Sequence, residues 1–125
     1  MMQDQPALST DTDILFLLTG SWGHEGDESG GPFLCADCCT MEGALAINTH
    51  WADAITLARV EYARPRAEII ALLDEAHQNA PTLILADRTE AHVDVVTCDN
   101  GRRIITDPSD ICRQLAACYG GAKPS

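Results

Sequence analysis

Residues 14 to 18 read Ile-Leu-Phe-Leu-Leu, five apolar side chains with no polar position among them. A surface helix buries one stripe, and a strand covered on one face alternates apolar with polar residues. An unbroken apolar run this short, opened by Asp13 and followed by Thr19-Gly20, matches neither pattern. Its length suits a strand buried on both faces of a sheet. A sheet covered on both faces belongs to an α/β architecture with helices packed over the strands.

The rest of the composition is consistent with one such domain. The chain has 125 residues, enough for a single real core. It is 46% hydrophobic but only 5% aromatic, so an aliphatic core is expected. Asp and Glu number 19 against 8 Lys and Arg, for a formal charge of −11. That balance argues against a nucleic-acid partner, which needs a basic footprint. No stretch reaches the roughly 18 apolar residues of a membrane span. The 14–18 run is too short for a signal-peptide core and lacks a basic leader, so a cytoplasmic location is expected. Six cysteines in such a compartment point to catalysis or metal binding rather than a disulfide framework.

Along the chain, residues 1–12 read as a loose tail, 13–121 as one domain and 122–125 as a second tail. Residues 19–34 form a long loop rich in Gly, Ser and acid. A helix then carries Met41, Ala44, Leu45 and Asn48 at helical spacing, with Trp51 closing it. Residues 54–63 alternate as a strand. Residues 64–77 predict an amphipathic helix with Pro65 in its first turn and Ile69, Ile70, Leu72, Leu73 and Ala76 as its stripe. Residues 79–87 and 101–107 predict strands, and 107–121 a helix capped by Asp107 with Pro108 first and Gly120-Gly121 at its end. The stretch 92–98 is either an arm of the final hairpin or a separate insertion. The order is βαβαββα around a mixed four-stranded sheet flanked by helices. The first strand–helix–strand unit is expected to be a parallel crossover.

The chemistry concentrates in "CADCCT", residues 35–40. Cys35-Ala36-Asp37-Cys38 is a CxxC at the start of a helix, where unpaired N–H groups and the dipole stabilise a thiolate. Cys35 is then the exposed nucleophile and Cys38, one turn on, the resolving thiol. Asp37 opposes this, because a carboxylate raises a neighbouring thiol pKa. Pro81 opens the strand "PTLIL", where it cannot donate to the sheet and is a candidate cis proline. On the assumed topology Cys35, Arg64, Arg66, Pro81 and the Asp107 turn share one rim. An Arg pair there would bind a carboxylate or hold a thiolate.

This pairing of CxxC and Pro81 resembles the thioredoxin-like fold, in a glutaredoxin-sized version spanning 13–121. "FLCADCCTMEGALA", "EYARPRAEIIALLDEAHQNAPTLILAD" and "GRRIITDPSDICRQLA" together resemble a bacterial thioredoxin-like family catalogued as a domain of unknown function. That family resemblance implies the fold and carries no settled activity; the CxxC with Pro81 is what leads to the expectation of thiol–disulfide exchange on a protein or small-molecule thiol or disulfide, with no cofactor. The last helix start also resembles the glutathione-binding half of glutaredoxins and glutathione transferases, which implies Asp107, Ser109 and Asp110 as substrate contacts. Pro108 stands where the transferases usually carry Ser, so one hydroxyl contact to glutathione is missing.

Blander and rival readings stand beside these. Cys35, Cys38, Cys39 and the loop residue His24 would make a metal site for zinc, Cu(I) or an iron–sulfur cluster. A thioredoxin-like scaffold that binds a pathway partner without catalysis is the third reading. Cys39 alone reads as a small packed residue, and His24 as a solvated loop histidine. Trp22 and Phe33 read as anchors of the long loop. Cys112 and Cys118 read as packing residues, Cys98 as an exposed thiol beside a turn, and Arg64 and Arg66 equally as surface charges.

Overall fold

The computed structural model describes residues 8–23 and 31–125. The whole "HEGDES" acidic run, His24 included, therefore lies outside the described residues. The described residues hold five strands, β1 (Ile14–Leu18), β2 (Thr56–Val60), β3 (Thr82–Ile84), β4 (Val96–Thr97) and β5 (Arg103–Ile105), and four helices, α1 (Ala36–Ile47), α2 (Trp51–Ala54), α3 (Ala67–Leu72) and α4 (Pro108–Tyr119), in the order β1-α1-α2-β2-α3-β3-β4-β5-α4. They form one mixed sheet in the order β2-β1-β3-β5-β4.

β1 lies inside the sheet, and all five of its residues are buried. It pairs in parallel with β2 from Ile14↔Thr56 to Leu18↔Val60 and antiparallel with β3 from Ile14↔Ile84 to Phe16↔Thr82. β5 pairs antiparallel with β3. The C-terminal ends of β1, β2 and β5 and the start of β3 thus meet at one end of the sheet. The expected four strands become five because 92–98 is an arm of the final hairpin. Only Val96 and Thr97 join the ladder, and both are exposed at the sheet edge. Cys98 N–H donates to Arg102 O and closes that hairpin around Asp99-Asn100-Gly101.

The helices are shorter than their apolar patterns suggest, for local reasons. The first ends at Ile47, where Asn48 caps it, and Trp51 instead opens α2 with its indole fully buried. Pro65 lies before α3 rather than in its first turn, since the helix starts at Ala67. α3 stops at Leu72, not near residue 77, because Asp74 Oδ1 accepts from the N–H groups of Ala76 and His77. Those bonds offer the backbone a turn in place of the next helical turn. Ala76 is consequently exposed, while Ile69, Leu72 and Leu73 reach the core.

α1 and α4 pack together, with the Cys112 thiol 3.9 Å from Met41 Sδ at their contact. Two buried polar groups knit the chain. Asp13 Oδ1 accepts from Ala86 N–H and the Thr89 hydroxyl, and its Oδ2 accepts from Tyr119 Oη. Gln114, fully buried on α4, accepts from His92 N–H and donates to Glu90 O, tying the 88–95 segment to the helix. Ala122 does not trail free, since it exchanges hydrogen bonds with the Asn48 side chain.

Candidate functional site

Cys35 is the N-cap of α1, with extended backbone and its side chain accepting from Cys38 N–H at 3.1 Å. An N-cap normally uses a hydroxyl or carboxylate oxygen to satisfy an orphan donor. Here a sulfur does so, which places it on the positive end of the helix. Cys35 is half-buried, and as a thiol it donates to Ala80 O at 3.9 Å. That carbonyl precedes Pro81, and the Ala80–Pro81 bond is cis, as are Gly31–Pro32 and Arg64–Pro65. Pro81 is buried directly before β3.

Cys38 faces inward on the first turn of α1 and is 3% exposed. Its sulfur accepts from Leu18 N–H at 3.4 Å, so the end of β1 is fastened to the thiol pair. Burial first, then its hydrogen bond to Cys35, pushes the Cys38 thiol up to about 12, with Cys35 and Asp37 adding to the effect. Cys38 therefore holds its proton at neutral pH and presents it to Cys35. The two thiols are inequivalent: one caps a helix at the rim, the other is a buried acid of low strength.

Cys39 is exposed, not packed. One residue turns the helix by about 100°, so with Cys38 facing the core Cys39 faces away from it. Among the described residues Cys35, Cys38 and Cys39 do not form a group of three donors within metal-ligand reach.

The remaining rim residues divide. Arg64 is exposed and donates to Asn79 Oδ1. Arg66 is 6% exposed, and its guanidinium donates twice to Tyr62 O and once to Gln78 O. It is a buried brace, not a surface charge. Burial first, then the neighbouring Arg64 charge, lowers its own pKa. Asp107 caps α4 by accepting from Asp110 N–H, and Asp110 pairs with Arg113 at 3.3 Å on the exposed face.

Two features escaped the sequence. Trp22 stacks on Tyr62 with centroids 4.2 Å apart, and Arg66 lies 5.6 Å over the same tyrosine ring. Trp22 also exchanges backbone hydrogen bonds with Phe33, which closes the base of the long loop. The anchoring role expected of Trp22 and Phe33 is thus seen, but the partner Tyr62 lies 40 positions away and no local pattern announces it. Cys98, expected at the surface, is 4% exposed, because the hairpin turn folds back onto the end of α3 through Asn100 Nδ2 and Leu72 O.

Fold and site together define a mixed α/β protein with an open five-stranded sheet and a cysteine pair at a helix N-terminus against the start of β3. The match to known families is specific: residues 12–123 fit the family described as "Protein of unknown function (DUF3088)", and the chain belongs to it. No curated protein and no solved structure matches. No helix among the described residues is long and apolar enough to cross a membrane.

Proposed function

We propose that the chain is a thioredoxin-like thiol–disulfide oxidoreductase acting in a reducing compartment such as the cytoplasm. The observation that carries this is the inequivalence of the pair: Cys35 Sγ accepts the Cys38 N–H at a helix start, while Cys38 is buried behind it. The sheet order, with a parallel β1–β2 pair followed by antiparallel β3 and β5, supports the thioredoxin-like reading.

The Cys35 thiolate attacks one sulfur of a substrate disulfide, forming a mixed disulfide and releasing the other sulfur as a thiolate, which takes a proton from solvent. Cys38 then attacks Cys35 Sγ. The Cys35–Cys38 bond forms, the substrate leaves as a thiol carrying the Cys38 proton, and two electrons have passed to the substrate. An external thiol reductant resets the pair. Pro81 shapes the groove beside Cys35, and exposed Arg64 is available to a carboxylate on the substrate, glutathione among the candidates.

The test is a redox titration followed by thiol mapping by mass spectrometry. The expected result is a reversible two-electron couple confined to Cys35 and Cys38 and abolished by Cys35→Ser. A couple that survives Cys35→Ser, or no couple at all, overturns the proposal.

A further inference from the structure

A second group of reactive side chains sits away from the cysteine pair. Asp74, His77 and Cys98 each offer one ligand atom, and these atoms all lie within 4.8 Å of one another. The three come from different places in the chain. Asp74 and His77 belong to the turn that follows α3, and Cys98 directly follows β4 where the hairpin turn begins. By strand register the hairpin turn lies at the end of the sheet opposite Cys35, since Arg103 opens β5 and Ile105 pairs with Leu83 near the start of β3.

We propose that Asp74, His77 and Cys98 form a site for a single zinc-like divalent cation, separate from the Cys35–Cys38 pair. Carboxylate, imidazole and thiolate together are the donor set of a borderline cation, and three protein ligands leave one tetrahedral position for water. The site is held by the fold. Asp74 Oδ1 accepts from two backbone N–H groups of its own turn, and Asn100 Nδ2 donates to Leu72 O and pins the hairpin beside it. His77 Nδ1 and Asp74 Oδ1 share a hydrogen bond at 2.8 Å. Tetrahedral zinc separates nitrogen and oxygen ligands by about 3.3 Å, so the cation replaces the shared proton while the pair opens by about half an ångström. Cys98 is buried, whereas the Asp74 and His77 side chains are about one-third exposed, which leaves a solvent path from that side. Asp99 adds negative charge that acts on Cys98 along with Asp74. On loading, the Cys98 thiol gives up its proton to solvent, His77 binds through Nδ1 as the neutral imidazole that keeps its proton on Nε2, and no electrons move.

The test is titration of the reduced, full-length chain with Co(II) as a spectroscopic stand-in and with Zn(II) by calorimetry. It uses a Cys35→Ser/Cys39→Ser background that removes the rival thiols while leaving buried Cys38 in place. One equivalent is expected to bind with a thiolate-to-cobalt charge-transfer band. Cys98→Ser should abolish the band. His77→Gln, at a position about one-third exposed and in protein shown by circular dichroism to be folded, should weaken binding by more than the roughly 10- to 100-fold that loss of an outer-shell partner costs. No binding in the Cys35→Ser/Cys39→Ser background overturns the proposal. So does binding unchanged by His77→Gln, or a charge-transfer band that persists in Cys98→Ser. None of these outcomes depends on whether Cys35 is redox-active.

Discussion

The difference between Cys38 and Cys39 shows how one residue step decides a thiol's chemistry. Both stand in the same motif, yet one is a buried acid pushed up to about 12 and the other is open to solvent. Cys38→Ser should therefore trap a mixed disulfide on Cys35, while Cys39→Ser should not, as read by non-reducing electrophoresis with a disulfide substrate. The Cys38 shift also sets a pH dependence. The unfolded chain ionises this thiol near its ordinary value of 9.0, whereas the folded chain keeps the proton. The stabilisation is complete below about pH 9 and is lost as pH rises towards 12. Cys98, Cys112, Cys118 and Tyr119 are shifted upward in the same direction, so alkaline denaturation should be steep. Urea midpoints at about pH 8 and about pH 10 should diverge less in Cys38→Ala than in the parent. Asp13 makes a second case. Removing its carboxylate leaves the donors at Ala86, Thr89 and Tyr119 without their acceptor, and Asp13→Ala should cost about 3 kcal/mol or more in a urea titration. The CxxC was legible because its spacing is local. Asp13 was not, because its partners are 73 or more positions away.

At the level of elements, α4 is stabilised from both ends. Asp107 caps its start, and Asp107→Ala should lower stability by about 1 kcal/mol. Its end is held from another part of the chain: Trp51 Nε1 donates to Gly120 O at 2.8 Å, and the His50 ring lies 3.1 Å from both the Tyr119 and Gly120 carbonyls. Gly121 follows with φ +111, and a Cβ there would come within 2.6 Å of Asn48 Oδ1. Gly121→Ala should cost about 1–3 kcal/mol in thermal or urea unfolding, from left-handed backbone strain together with the displaced asparagine. The Gly-Gly stop and the Asp-Pro start were readable from residue types alone. The shortened α3 was not, because Asp74 sits within an apolar helical period and only its side-chain hydrogen bonds show that it makes a turn.

For the whole molecule, a formal charge of −11 means that compaction works against self-repulsion. Raising salt from about 0.02 M to about 0.15 M should raise the unfolding temperature, since the screening length shortens to about 8 Å. A flat response would mean that the carboxylates lie too far apart to repel. The sequence by itself determined the α/β class, the buried central strand, the position of the thiol pair at a helix start and the aliphatic core, because each follows from periodicity or spacing over a few residues. Tertiary structure alone decided that residues 92–98 add a fifth strand, that Arg66 is an internal brace, and that Cys98 is buried beside Asp74 and His77. Those outcomes depend on which distant backbone carbonyls, ring faces and side chains the sheet brings within a few ångströms. Local sequence has no term for such distances.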